Sequence, residues 1–124
     1  MSILSGFNNH FIEFLEDVET IFPEDRDIKK GKTALEMMKK ANPRMLIMIW
    51  RKHITEPYGD QIENGDLEFF LNKDYSKDFT GSESEKNILQ SIEKFRNPIR
   101  NMGSDNKEKS MKYIQNLTKL SSMY

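Results

Sequence analysis

Residues 42–57 read NPRMLIMIWRKHITEP, and this stretch decides the fold. Asn42 is a residue type that satisfies the orphan N–H groups of a helix start, and Pro43 at a first helical position forfeits no bond the helix would have made. From Pro43 to Ile54 the chain is apolar nearly all round, through Met45, Leu46, Ile47, Met48, Ile49 and Trp50. A helix with no polar side has to be wrapped by others, so this one belongs at the centre of an all-α domain. Pro57 cannot continue a helix ladder and is expected to close it.

Outward from this segment, every flanking stretch repeats with helical period. Residues 7–22 carry Phe7, Phe11, Phe14, Leu15, Val18, Ile21 and Phe22 on one stripe, with Glu13, Glu16, Asp17 and Glu19 on the opposite arc. Ser5 or Asn8 would cap that helix, and Pro23 would end it. Residues 26–41 predict a more polar helix with Ile28, Leu35 and Met38 inward and Lys29, Lys30, Lys32, Lys39 and Lys40 outward, weakened at Gly31 by about 1 kcal/mol relative to Ala. Beyond Pro57, residues 58–71 read as two short helices broken at Asn64-Gly65, where glycine admits the left-handed conformation that ends a helix and Asp66 caps the next one.

Residues 72–82, NKDYSKDFTGS, form a polar, turn-rich connection expected to be mobile. From Glu83 the period returns through Ile88, Leu89, Ile92, Phe95, Ile99 and Met102, with a kink or stop expected at Pro98. Asp105 followed by Glu108 resembles a capping box that starts a helix bearing Met111, Ile114, Leu117 and Leu120. No segment alternates as a strand does. The reading is one compact domain spanning residues 1–124, an all-α bundle of five to seven helices, some of them short.

Composition narrows function mainly by exclusion. The chain has no cysteine, which removes thiolate nucleophiles, disulfides and cysteine-ligated zinc. Its longest apolar run, Met45–Trp50, is far short of the roughly 20 residues a membrane span requires, and MSILSGFNNH lacks the charged and apolar regions of a signal peptide. A soluble, intracellular protein is therefore expected, in which the sequon Asn116-Leu117-Thr118 meets no glycosylation machinery. His10 and His53 are the sole imidazoles, neither in an HExxH pattern nor in a Glu-x-x-His pair, and no phosphate-binding glycine loop is present. Carboxylate pairs of the glycosidase kind are uninformative among 20 acidic residues. No cofactor and no enzymatic activity is expected.

The charges are strongly segregated beneath a formal net charge of −1. Residues 1–25 carry −6, 26–55 carry +7, 56–85 carry −7 and 86–124 carry +5. Blocks of this kind neutralise one another within the fold or dock onto partners of opposite sign. Lys109, Lys112, Asn116 and Lys119 share one stripe of a helix, suited to a phosphate backbone or simply to a solvated face. Lys29, Lys32 and Arg44 form a second cationic group, although the apolar run Met45–Trp50 lacks the polar face of a recognition helix. Trp50 is expected in the core, where Trp50→Ala would cost about 3–5 kcal/mol.

Phe69 and Phe70 diverge by about 100° on a helix, so one of them would be able to anchor a partner while the other enters the core. Asn72, Asp74, Ser76, Asp78, Thr80 and Glu83 fall in the frame of a calcium loop, but Asn at the first position and Lys77 where the sharp turn needs glycine argue for a plain polar connection.

Three segments, FNNHFIEFLEDVETIFPED (7–25), KKANPRMLIMIWRKHITEPYGDQIENGDLEFFLNKDY (39–75) and NKEKSMKYIQNLTKLSSMY (106–124), resemble small uncharacterised proteins of nucleocytoplasmic large DNA viruses, relatives of the algal and amoebal giant viruses. The resemblance covers most of the chain and rests on helix boundaries, caps and core positions, so it carries over no catalytic residue. It implies a viral protein acting in the cytoplasm or nucleus of the infected cell, or in the particle. The functional expectation is a non-enzymatic interaction or adaptor module with a protein partner, docking through charged helix faces and the Phe69/Phe70 pair. The alternatives are a nucleic-acid-associated regulator using Lys109/Lys112/Lys119 and Lys29/Lys32/Arg44, and a minor component of a virus particle.

Overall fold

The computed structural model describes residues 2–72 and 82–124. The helices are α1 (Ile3–Ile21), α2 (Arg26–Ala41), α3 (Met45–Trp50), α4 (Glu56–Glu63), α5 (Leu67–Asn72), α6 (Glu83–Glu93), α7 (Arg96–Arg100) and α8 (Ser104–Ser122), and there is no strand among the described residues. The all-α bundle is as the sequence predicts. The calcium-loop frame at Asp74, Ser76, Asp78 and Thr80, and most of the 72–82 connection, lie outside the described residues.

Pro57 does not close the central helix. Residues Arg51–Thr55 form a π-helical turn that joins α3 to α4 without a break, so one rod runs from Met45 to Glu63. A proline ring meets the carbonyl four residues back and offers that carbonyl no N–H. Widening the preceding turn by one residue relieves this conflict: the Glu56 N–H reaches back five residues to the Arg51 carbonyl. The rod ends where glycine was expected to end it. Gly65 has φ +78°, and the Asp66 and Gly65 N–H groups bond to the Gln61 and Ile62 carbonyls at 3.0 and 2.9 Å, the paired closure of a left-handed helix stop. Asp66 then caps α5, its carboxylate accepting the Phe69 N–H at 3.0 Å.

Trp50 is the hub of the core. It is 2 % exposed, and its ring meets Phe7 and Phe11 of α1 at 6.2 and 5.6 Å and Phe70 of α5 at 6.4 Å. Its indole N–H donates to the Thr118 hydroxyl of α8 at 3.1 Å, so one side chain ties four helices together. α1 packs against α2 and α8, and α2 against α6. The start of α3 is fixed from two sides: the Asn42 carboxamide oxygen accepts the Arg44 N–H at 3.2 Å, and buried Asn8 donates to the Pro43 carbonyl at 2.9 Å.

Gly31 gains a role that periodicity alone conceals. A methyl group there would lie 2.9 Å from the Phe95 ring and 3.2 Å from the Ser91 carbonyl, so the missing side chain is what lets α2 approach α6 closely. Pro98 acts as expected but upstream of itself: α6 stops at Glu93 and tight bonds from the Lys94 and Phe95 N–H groups to Ser91 and Ile92 close the turn, which spares the Lys94 carbonyl a clash with the ring.

Helix starts differ from expectation at α1, α3 and α8: α3 begins at Met45 behind Arg44 with no side-chain cap, and Asn42-Pro43 form the turn ahead of it. Ser2, not Ser5 or Asn8, caps α1, its hydroxyl accepting the Ser5 N–H at 3.0 Å. The Asp105/Glu108 box does not form: α8 begins at Ser104 behind Gly103, and Asp105 sits inside its first turn. A capping box forms instead at Ser82 and Glu85, where each side chain accepts the other residue's N–H at 3.1 and 3.4 Å.

Candidate interaction surfaces

The π turn borders a broad concave surface among the described residues. Widening the helix turns His53 and Ile54 into the core and leaves Arg51 and Lys52 outside. Beside them runs a groove of about 600 Å³ between α3, the start of α6 and Tyr124. Met45, Met48, Ile49 and Tyr124 give it an apolar surface, with Met48 56 % and Tyr124 41 % exposed. Arg44, Arg51 and Lys52 stand around that surface.

Two of these cations are already engaged. Lys52 Nζ lies 2.9 Å from Glu85 Oε1, and Arg51 Nε lies 3.7 Å from Glu56. Glu85 is the anchor of the rim. The hydrogen bond from His53 at 2.8 Å, the bond and charge of Lys52, and the Ser82 N–H together hold its carboxyl below the usual range against the opposing effect of burial. A carboxylate only accepts, so His53 Nε2 carries the shared proton. Arg44, by contrast, is exposed and has no ion-pair partner among the described residues.

The cationic residues singled out from sequence separate into engaged and free groups. Lys32 is half-buried, 3.1 Å from Glu19 of α1 and 3.6 Å from Glu36. Burial works against its charge, but the bond and charge of Glu19 with the charges of Glu36 and Glu16 outweigh that, and the amine is pushed up. It is a tie between α1 and α2, not a free cation. Lys109 reaches Asp17 of α1 at 3.3 Å, which leaves Lys112 and Lys119 as the exposed, unpaired cations of the α8 stripe among the described residues. The acidic arc of α1 is thus partly neutralised from both sides. Tyr113 extends that seam, stacking on Phe14 at 5.0 Å and donating to Asp17 at 2.7 Å; burial, then its bond to Asp17, pushes the phenol far up.

Phe70 is 4 % exposed against Trp50 and takes the core position, which removes it as a docking side chain in this fold. Phe69 is half-buried against Tyr58, with ring centroids 5.5 Å apart. His10 is half-buried on Tyr113 at 4.7 Å.

The groove itself was not anticipated. Its one local signal is Ser82-Glu83-Ser84-Glu85, a capping-box pattern that fixes Glu85. That Met48 faces outward is invisible in an all-apolar run, because periodicity gives no direction where every position is apolar. No described helix is long and apolar enough to cross a membrane. No protein family, curated protein or solved structure matches the chain.

Proposed function

We propose that the chain is a non-enzymatic protein-interaction module that docks a partner segment of mixed apolar and acidic character in the groove beside the π turn. The observation that carries this reading is the exposure of Met48 on a surface shared with Met45, Ile49 and Tyr124, beside Arg44, which is ionically unengaged among the described residues. Methionine is unbranched and polarisable, so it moulds to apolar anchors of varied shape. An arginine at the edge supplies a planar, bidentate donor for a carboxylate. An amphipathic helix laid in such a groove would seat apolar anchors at i and i+3 or i+4 and turn an Asp or Glu to Arg44. The resemblance to large-DNA-virus proteins adds a setting, the infected cell or the particle, which proteomics of purified virions would test.

The docking reading is tested by panning a random peptide library displayed on phage against the folded protein and against Met48→Asp. Enrichment of sequences pairing apolar residues at helical spacing with Asp or Glu, lost on Met48→Asp, is expected. Enrichment of basic sequences, or of the same sequences on both proteins, contradicts it.

A further inference from the structure

Among the described residues twelve lysines and arginines take part in no ion pair, and five of them lie on α2, four of these on its exposed face. On α2, Arg26, Lys29, Lys30, Thr33, Met37 and Lys40 are all exposed. At 100° per residue these six positions fall within about 100° of arc, and at 1.5 Å per residue they span about 21 Å. The opposite arc holds Ile28, Gly31 and Leu35, all buried. Among the described residues none of the four cations has a carboxylate within ion-pair distance: Glu36, at the edge of the arc, is turned to Lys32, and Asp27 lies to the other side near the helix start. The sequence had grouped Lys29 with Lys32 and Arg44. The structure replaces that group with a straight, single-sign row on a rigid element.

We infer that the outward face of α2 binds the phosphodiester backbone of nucleic acid, independently of the groove and its partner. A row of four cations over about 21 Å matches a polymer whose charges recur regularly, each strand of a duplex placing a phosphate every 3.4 Å along its axis. Thr33, within the row, adds a hydroxyl donor of the kind that bonds phosphate oxygens. An anionic membrane is a poorer fit: a surface helix must sink an apolar face among the headgroups, and the apolar face of α2 is committed to α1 and α6. The contacts are with the backbone, so binding is indifferent to sequence. With a formal net charge of −1, the whole chain supplies no general attraction for polyanions, and the effect has to come from this face.

The test is fluorescence anisotropy of a labelled random-sequence duplex of about 20 base pairs and a labelled single strand of equal length, titrated at salt from about 25 to 200 mM. Neutralising four phosphates predicts a log–log slope of about −3.6 on duplex and about −2.8 on the single strand. Lys29→Glu/Lys30→Glu should flatten the duplex slope by about 2 and weaken binding more than tenfold at 50 mM salt. Lys112→Glu/Lys119→Glu on α8 should change neither. Both pairs are exposed, and near-ultraviolet circular dichroism of Trp50 verifies that each variant folds. Absence of binding at 25 mM salt, equal loss in the α8 variant, or binding to phosphatidylserine vesicles without binding to either nucleic acid overturns the inference.

Discussion

Breaking the bond between Trp50 and Thr118 separates what the central indole contributes by size from what it contributes by polarity. Trp50 is 2 % exposed, fills the space between Phe7, Phe11 and Phe70, and has its one donor on the Thr118 hydroxyl, itself 8 % exposed. Trp50→Ala removes the ring and the bond together and should cost about 3–5 kcal/mol, a large part of the roughly 5–15 kcal/mol that stabilises an ordinary domain. Thr118→Val keeps the volume but strands a buried N–H, costing about 1–3 kcal/mol. Trp50→Phe strands the hydroxyl and leaves a small void, with a cost of about 2 kcal/mol. Once both partners are gone neither is stranded, so Trp50→Phe/Thr118→Val should fall short of the summed single costs by about 1 kcal/mol. Urea unfolding followed by far-ultraviolet circular dichroism measures all four, since the variants at position 50 lack the only tryptophan. Strict additivity of the double variant, or a Trp50→Ala midpoint near that of the parent, would refute the placement of the indole.

Gly31→Ala should destabilise by about 1–2 kcal/mol despite the better helix propensity of alanine, because the new methyl meets the Phe95 ring and the Ser91 backbone; a raised melting temperature would contradict the close approach of α2 and α6. Glu85 has its carboxyl held below the ordinary glutamate range, so its contribution to stability is present above that range and is lost as pH falls through the lower folded value. Glu85→Gln should therefore flatten the acid limb of a stability–pH profile below about pH 5, and an unchanged limb would count against the His53–Glu85–Lys52 cluster. Lys32→Met should lower stability and leave Glu19 without its partner, whereas Lys29→Met should be near neutral in the same melting assay; equal effects would erase the distinction between engaged and free cations on α2.

The bundle was legible because its signals are local. Helical period, the Gly65 stop and the Asp66 cap each depend on a handful of neighbouring residues, and each stands where its chemistry places it. Pro57 misled because a proline has two outcomes, ending a helix or widening the turn before it, and the choice lies with the packing of Ile54 and Ile62 into the core on either side. The lysines misled in the same way. Lys29 and Lys32 are indistinguishable by type, and only the approach of α1 and Glu19 makes one a structural tie and leaves the other in solvent. The groove is assembled from α3, α6 and Tyr124, residues far apart in the chain, and no pattern along the sequence encodes that meeting.

The most direct measurement labels the methyl groups of the eight methionines and follows their NMR signals as an acidic, amphipathic peptide selected by the panning experiment is added. Docking in the groove predicts that Met45 and Met48 shift in proportion to occupancy while Met37, on the outward face of α2, and Met111, in the core, stay fixed. Movement of Met37 with Met45 and Met48 unchanged would place the partner elsewhere and contradict the proposed docking site.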